Sequence, residues 1–268
     1  MPRRATLLTL GLAAYPPIRH GLRRVARAFM RGLFRIRSRP LDLGEGTALF
    51  VAPHQDDATL GCGGLIHARR SAGHDVHILY LTDGAASHPD HPRLKPGDIA
   101  QLRRREAALA MSRLGVARQH VHFLDLPDGR LPHLADAELR QASQRVTELC
   151  DEVGPRFVFL PYRFDGSSEH EAGFTLVLNG LGAARAHPRM IEYPVWALWS
   201  VSLLVRPWLQ TSHIYRFSGR ADHQAVKRHA IAAFASQLSP TPPWTEPVLP
   251  AGFALAFSGD TEFFFESP

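Results

Sequence analysis

Residues 51–64 of this 268-residue chain read VAPHQDDATLGCGG. An apolar run ends at Pro53, one histidine and two adjacent aspartates follow, and a cluster of glycines comes next. Carboxylates at the end of a strand are costly to bury unless they face a positive charge. Imidazole and carboxylate are both common ligands of divalent metals. The stretch therefore predicts a buried strand that ends at a metal site.

Short apolar runs alternate with helical patterns along the rest of the chain. The predicted strands are 47–53, 76–82, 120–126 and 156–162, and the helices between them are 60–72, 98–115 and 134–152. Beyond residue 185 the candidate strands are 189–198, 212–218 and 261–266, with a helix at 222–238 and a Pro-rich turn at 240–250. Such alternation is typical of an α/β fold with a mostly parallel sheet.

Polar side chains follow each of the first four predicted strands. In chain order these groups are His54, Asp56 and Asp57; Asp83; Asp125 and Asp128; and Asp165 and His170. In parallel sheets, ligands bind beyond the carboxyl ends of the strands. We therefore expect the four groups to converge on one edge of the sheet.

The spacing of these residues suggests a metal-dependent hydrolase. His54 and Asp57 lie three residues apart at a strand-to-helix turn, so both can hold one ion from the same side. Asp56 lies between them and can act as the general base for a metal-bound water. His170 is the candidate third ligand, which leaves the fourth position of a zinc site to water. An Asp–Asp pair before a helix also serves as a simple N-cap, and the residues alone leave that alternative open.

The composition is that of a globular protein with a core of ordinary size, since 45% of the residues are hydrophobic. Its two cysteines, Cys62 and Cys150, are too few for a disulfide framework. Because they are isolated in the sequence, they also argue against a zinc site built from thiolates.

The first 45 residues differ in charge from the rest, and we predict a basic amphipathic segment at 1–45 ahead of a domain at 46–268. Ten of the 31 basic residues, all of them arginine, lie in residues 1–40, where no acidic residue occurs. The remaining chain has 21 basic against 25 acidic residues, a net charge of −4. Because the body is mildly acidic, we expect no nucleic-acid partner.

Apolar residues of the N-terminal segment form a helical stripe with spacings of three and four: Ile18, Leu22, Val25, Phe29, Leu33 and Ile36. Arginines occupy the rest of the helical wheel. Such a helix can place its stripe on an anionic membrane surface, or dock it on the protein's own core with the arginines in water. The sequence leaves both partners open.

No run of the chain reaches the roughly 18–20 apolar residues that span a bilayer. Residues 6–15, TLLTLGLAAY, are short for a signal-peptide core and lack a clear small-residue cleavage site. We therefore expect a cytoplasmic protein, which is peripheral to the inner face of the membrane if the stripe binds lipid.

Residues 53–64, PHQDDATLGCGG, resemble the N-terminal signature of the PIG-L/LmbE-like deacetylases, which is close to P-H-P-D-D-E-x-L-G-x-G-G. Further motifs follow in the family's order at 81–84, 102–116, 123–131, 159–170, 192–196 and 227–238. The resemblance spans about residues 46–266. It implies a Rossmann-like fold and zinc-dependent removal of an acetyl group from an N-acetylated amino sugar of the GlcNAc type. The basic N-terminal stripe suggests a refinement, in which this sugar belongs to a lipid-linked or surface-glycan intermediate presented at a membrane.

The resemblance also implies roles for individual residues. It assigns zinc binding to His54, Asp57 and His170, and the general base to Asp56. Asp128 matches an aspartate that contacts sugar hydroxyls in relatives. Arg103 matches an arginine near the substrate, although a helix-face ion pair with Glu106 is the structural alternative.

Two departures from the family pattern bear on activity. Residues 165–170 read DGSSEH where the family has D-x-H-P-D-H, so that Asp165 and His170 are kept while Ser167 replaces a second histidine. That histidine is thought to stabilise the oxyanion or to protonate the leaving amine, and losing such a donor costs roughly a hundredfold or more in rate. Ala58 also replaces the usual glutamate. His88 or His91, in the SHPDHP string at 87–92, is the candidate replacement donor.

Three functions follow from these residues. The first is a zinc-dependent N-deacetylase with substrate contacts from Asp128, Arg103, Asp165, Ser167 and His88. The second is a catalytically weak or inactive relative that binds a glycan or a metal. A dinucleotide-binding oxidoreductase is disfavoured, because the glycines follow the acidic pair and no complete G-x-G-x-x-G occurs.

Overall fold

The computed structural model describes residues 16–200 and 213–266, without the side chains of residues 16–20, 22 and 23. Its strands are β1 Arg39–Pro40, β2 Ala48–Ala52, β3 Val76–Thr82, β4 Val121–Leu126, β5 Phe157–Pro161, β6 Arg189–Tyr193, β7 Ile214–Ser218 and β8 Thr261–Glu266. Its α-helices are α1 Pro16–Arg37, α2 Asp57–Ser71, α3 Pro96–Arg113, α4 Asp136–Val153, α5 Ser168–Ala183, α6 Trp196–Ser200, α7 Ala221–Ile231, α8 Ala235–Leu238 and α9 Phe253–Phe257.

The described strands form one sheet in the order β1-β7-β8-β6-β5-β2-β3-β4. Five adjacent strands are parallel to one another, in the order β6, β5, β2, β3 and β4. The strand β8 is antiparallel to both β6 and β7. The predicted α/β, Rossmann-like class with a mostly parallel sheet is therefore confirmed. Because β2 lies between β5 and β3, the loop after it is at the centre of the sheet's carboxyl edge.

Both faces of the sheet are covered, which makes the protein a three-layer structure. Alternate residues of β2 face opposite layers: Phe50 belongs to one apolar core and Val51 to the other. The first core includes Ile66 of α2, and the second includes Val146 of α4 and Val177 of α5. The continuous apolar runs of the sequence are thus strands buried on both faces.

The glycine cluster at the start of α2 allows this helix to pack closely on the sheet. A Cβ on Gly61 would lie 2.4 Å from a ring carbon of Tyr193. At Gly64 the backbone amide donates to Glu262 across 2.7 Å, and Lys227 pairs with the same buried carboxylate at 2.6 Å. Larger residues at these positions would push α2, and with it Asp57, away from the sheet.

Several elements differ from the sequence prediction, and three of these differences concern its longer segments. The helix α5 was not predicted, because its exposed positions after the first turn carry no charged residue that would mark a polar face: Thr175, Leu178, Asn179, Gly182 and Ala183. The strand predicted at 189–198 ends at Tyr193, since Pro194 cannot donate to the ladder. The helix predicted at 222–238 is divided into α7 and α8.

The predicted N-terminal helix is present as α1, and it docks with a face other than the apolar stripe. Met30 and Phe34 are fully buried, and Phe34 meets the ring of Phe263 edge-on at 5.4 Å. From the stripe, Val25 is 69% exposed and Phe29 is 65% exposed. Ile36, also in the stripe, is 84% exposed, Leu33 is half-buried, and the side chains of Ile18 and Leu22 lie outside the described residues. Among residues 16–200 and 213–266, no helix has the length and apolarity needed to cross a bilayer.

Candidate active site

The loops after β2, β3, β4 and β5 meet at the carboxyl edge of the sheet, as the sequence predicts. Thr82, at the end of β3, donates from its amide and its hydroxyl to the carbonyl of Pro53, which follows β2. Gln55 donates from its side-chain amide to the carbonyl of Thr82 across 2.8 Å. These bonds fix the turn that carries the acidic pair.

Three side chains from two of these loops form a candidate metal site. His54, Asp57 and His170 bring one ligand atom each to within 4.8 Å of the others. Oδ2 of Asp57 lies 3.2 Å from Nδ1 of His54 and 3.3 Å from Nε2 of His170. The backbone amide of His54 donates to the same oxygen across 2.9 Å, which holds the turn closed.

Asp165 orients His170 instead of contacting a substrate. It is fully buried, and its Oδ2 lies 2.7 Å from Nδ1 of His170. Its two oxygens also accept hydrogen bonds from the backbone amides of Val195, Trp196 and Ala197, each 2.9 Å long. A carboxylate held this firmly fixes the ring so that Nε2 faces the metal site. Asp165 has no exposed surface and lies outside the lining of the adjacent cavity, so the structure gives no support to the substrate contact predicted for it.

Asp56 lies beside the metal site and is bound to Arg103. Nη2 of Arg103 donates to Oδ1 of Asp56 across 2.8 Å, and both side chains are buried. Asp56 also precedes α2, but its carboxylate makes no cap hydrogen bond. The helix-cap alternative therefore does not account for this residue.

A second acidic group lies on the other side of His54. Oδ1 of Asp128 is 3.2 Å from Nε2 of His54, and its Oδ2 accepts a hydrogen bond from the amide of Ala86. Glu169 joins the same cluster, and its Oε1 accepts from the amide of Leu131 across 3.0 Å. Burial raises the pKa of Glu169.

The charges of the site determine how its histidines are protonated. Burial opposes a charge on His170, but Asp57 and the hydrogen bond with Asp165 outweigh it and raise the pKa of His170 to about 9. Burial likewise opposes a charge on His54, whose pKa Asp128 and Asp57 raise well above its usual value. Burial opposes a charge on Asp57, but its interactions with His170 and His54 outweigh this effect and lower the pKa of Asp57. At neutral pH the site thus holds protons that a divalent cation would displace.

A cavity of about 290 Å³ opens over these residues. Its polar lining includes His54, Asp56, Asp57, Arg103, Asp128 and Glu169. Its apolar lining includes Leu60, Trp196, Val248, Leu249 and Phe253. The cavity is at the lower end of the roughly 300–1,000 Å³ range of small-molecule sites, so it suits a small polar ligand with one apolar face.

Besides Asp165, two residues predicted to contact the substrate lie outside this lining. Ser167 is half-buried and immediately precedes α5. His88 is buried, its ring stacks on Trp244 at 5.2 Å, and its Nε2 lies 3.1 Å from the hydroxyl of Thr241. His91 packs on the same tryptophan. The SHPDHP string therefore holds the Pro-rich segment in place, and neither histidine supplies a donor to the cavity.

Sequence reasoning missed the wall contributed by the C-terminal part of the chain. Val248, Leu249 and Phe253 line the cavity although they lie almost 200 residues after His54. None of them belongs to a motif, so no local signal identifies them. Trp196, the last residue of the motif at 192–196, also lines the cavity.

The chain is similar to known proteins over the region that holds this site. The family model of PIG-L, described as GlcNAc-PI de-N-acetylase, matches residues 49–180. Diacetylchitobiose deacetylase of Thermococcus kodakarensis is 30% identical over 130 residues, 47% of this chain and 46% of that protein. The 1D-myo-inositol 2-acetamido-2-deoxy-alpha-D-glucopyranoside deacetylase of Kineococcus radiotolerans is 37% identical over 135 residues, 41% of this chain and 37% of that protein. The match thus spans less than half the length of these relatives.

Among solved structures, the zinc inhibited form of teicoplanin deacetylase Orf2 matches with a TM-score of 0.56. The match covers 72% of this chain and 85% of that chain at 20% sequence identity. At this identity, the likeness establishes the fold alone.

Proposed function

We propose that this chain, which belongs to the PIG-L/LmbE-like deacetylase family, is a metal-dependent hydrolase that removes the acetyl group from an N-acetylated amino sugar. The observation that carries the proposal is the convergence of His54, Asp57 and His170 beside the buried carboxylate of Asp56. A GlcNAc-type ring is the favoured substrate, because the cavity is small and has both carboxylates and an aromatic wall.

The donor set fits a zinc ion. Two imidazoles and one carboxylate are a usual ligand set of zinc hydrolases, with the fourth position left to water or substrate. When bound, the ion would polarise the amide carbonyl and lower the pKa of water toward about 7. The zinc inhibited form of teicoplanin deacetylase Orf2 supports zinc as an ion that this fold accommodates.

Asp56 is the candidate general base. Its Oδ1 accepts the hydrogen bond of Arg103, so we assign the proton of the attacking water to Oδ2. The water oxygen adds to the acetyl carbonyl carbon as its proton passes to Asp56. The C–N bond then breaks, and the proton held by Asp56 passes to the departing amine nitrogen. The products are acetate and the free amino sugar.

Asp128 and Glu169 are the candidate contacts to the sugar hydroxyls. Both line the cavity, and each already accepts a hydrogen bond from a backbone amide, which holds its carboxyl group in place. Trp196 and Phe253 offer an apolar wall to the ring face. We expect a lipid-linked or surface-glycan intermediate as the complete substrate, and a cytoplasmic location.

The test is acetate release from a panel of N-acetylated amino sugars, with and without a chelator. We expect wild type to release acetate, the chelator to abolish it, and Asp56→Asn to reduce it by about 10²–10⁴-fold, the usual contribution of a general base. The variant should keep its bound zinc, whereas His170→Ala should lose it. Release that is insensitive to both the chelator and Asp56→Asn would overturn the proposal.

A second candidate is a catalytically weak or inactive member that binds a glycan or a metal. It is favoured by Ser167, which stands outside the cavity lining where relatives have a second histidine. In the same assay this function predicts zinc binding and sugar binding, both measurable by calorimetry, without acetate release from any sugar of the panel.

A further inference from the structure

The outward face of α1 is an apolar surface that the described part of the protein does not cover. Val25 and Phe29 are one helical turn apart, Ile36 continues the same face, and all three are at least 65% exposed. Separate exposed apolar residues are common, but a row of three along one helix face marks a contact surface. The inward face of α1 is already occupied, because Met30 and Phe34 pack on the sheet.

The apolar surface continues from α1 into a groove of about 560 Å³ between α1 and α9. Ala28, which neighbours the exposed face, lines this groove together with Leu255, itself 70% exposed. Three arginines, Arg24, Arg27 and Arg31, line it from α1. The surface therefore combines exposed apolar side chains with positive charge along one edge.

Two of these arginines are held in place by the protein. Nη2 of Arg31 donates to the carbonyl of Thr261 across 2.8 Å, and the guanidinium of Arg27 lies 4.1 Å from the ring centroid of Trp199. Their charges are thus fixed at the groove. Arg24 is exposed at its outer end.

We propose that this outward face of α1, with the α1–α9 groove, is a docking surface for an anionic phospholipid bilayer. Charge complementarity selects this occupant, since residues 1–40 contain ten arginines and no acid. Apolar side chains enter the boundary between head groups and acyl chains, and the flanking guanidinium groups pair with lipid phosphates. The arrangement binds at the surface of a bilayer without crossing it.

The docking surface adjoins the candidate active site. The ring of Trp199, over which Arg27 lies, is 5.0 Å from that of Phe253, and Phe253 lines the catalytic cavity. A bilayer on α1 therefore places the cavity near the lipid surface, where a lipid-linked sugar would be presented. The docking itself does not depend on the deacetylase function.

The test is co-sedimentation of the full-length protein with vesicles of phosphatidylcholine alone or with added phosphatidylglycerol. We expect binding to the anionic vesicles, at least tenfold weaker binding to the neutral ones, and loss of binding as salt screens the charges. Phe29→Asp and, independently, Val25→Asp should each weaken binding at least tenfold. The matched control is Leu109→Asp, which puts the same charge at an exposed leucine of α3 and should bind like wild type.

Three results would overturn the proposal: no binding of wild type to anionic vesicles, unchanged binding of both α1 variants, or equal weakening by Leu109→Asp. A fourth is a wild-type dimer in light scattering that Phe29→Asp converts to a monomer, since the face would then join two copies of the chain. Acetate release from a water-soluble sugar should be unchanged in all variants. Failure of docking and failure of the deacetylase proposal are therefore separate results.

Discussion

Arg103 and Asp56 form a buried ion pair at the back of the cavity, with Nη2 of the arginine 2.8 Å from Oδ1 of the aspartate. A second carboxylate, Glu106, lies 3.6 Å from Nη1 of the same guanidinium. Glu106 in turn accepts hydrogen bonds from the amide and the hydroxyl of Ser236 in α8. The candidate general base is thus anchored through α3 to the C-terminal part of the chain. The ion pair with Glu106 that the sequence offers as an alternative occurs together with the pairing to Asp56, which the sequence did not predict.

We predict that Arg103→Met lowers kcat by about 10–100-fold, the range found for groups that support a metal site from outside. The carboxylate of Asp56 would lose the bond that fixes its orientation. Arg103→Lys should recover part of the rate, because it keeps the charge without the same geometry. Steady-state kinetics with metal analysis test this, and the zinc content of both variants should equal that of wild type.

The control for this prediction is Arg104→Met. Arg104 neighbours Arg103 on α3, but it pairs with the exposed Asp125 on the outside of the protein. Its kinetics should match those of wild type. Equal rate losses in Arg103→Met and Arg104→Met would contradict a positioning role for Arg103.

A second prediction concerns Asp165 and metal affinity. Asp165→Asn should weaken zinc binding by about 10–100-fold, as is typical when the partner of a metal-bound histidine is changed. The side-chain nitrogen of asparagine does not accept hydrogen bonds, so the variant could not keep all three bonds from the backbone amides. His170 would then lose its fixed orientation. Competition with a chromogenic chelator measures the Kd. The exposed Asp125→Asn is the matched control, and a Kd equal to that of wild type in both variants would refute the role given to Asp165.

Zinc affinity should rise with pH. The pKa of His170 in the metal-free protein is about 9, so the imidazole must lose a proton before it can bind the ion. For each proton released on zinc binding, the apparent Kd falls about tenfold per pH unit up to that pKa. This change is equivalent to about 1.4 kcal/mol of binding free energy per pH unit. Chelator competition from about pH 7 to about pH 9 tests this prediction. A Kd independent of pH over this range would contradict it.

The sequence predicts the centre of this fold well because local pattern and tertiary structure agree there. The run that forms β2 is apolar throughout, and β3 has no charged or amide side chain between His77 and Thr82, as expected of strands buried on both faces. Parallel strands end at the same edge of a sheet. This rule explains why His54 and Asp57 lie close to His170. The helix α5 was not predicted because its exposed face, which includes Leu178, Gly182 and Ala183, carries few polar residues that would mark a helical period.

The sequence does not show which distant residues a polar side chain contacts. Asp165 belongs to a motif, but its role depends on contacts that no motif shows. The backbone amides of 195–197 donate to its carboxylate and hold it against His170. The position of His88 depends on Trp244, more than 150 residues away in the chain. Likewise the wall formed by Leu249 and Phe253 depends on tertiary packing. These relationships have no local periodicity from which to infer them.

A final prediction concerns three histidines at the opposite end of the sheet from the cavity. Nδ1 of His77 lies 3.1 Å from Nε2 of His122, and the ring of His77 stacks on that of His120 at 4.1 Å. Burial, reinforced by the charges of His120 and His122, lowers the pKa of His77 to about 4. In the unfolded chain the pKa of a histidine is about 6.5.

Between these two pKa values the unfolded chain binds a proton at His77 that the folded protein does not. The free energy of unfolding therefore falls as the pH falls from about 6.5 to about 4. His77→Gln removes this titration, so the variant should lose less stability than wild type between about pH 7 and about pH 5. Because the half-exposed ring is screened by solvent, we expect less than the full linkage of about 1.4 kcal/mol per pH unit. Urea unfolding at both pH values measures the difference, with the exposed His133→Gln as the control that should follow wild type. If His77→Gln and wild type lose the same stability, the histidine cluster does not contribute to acid sensitivity.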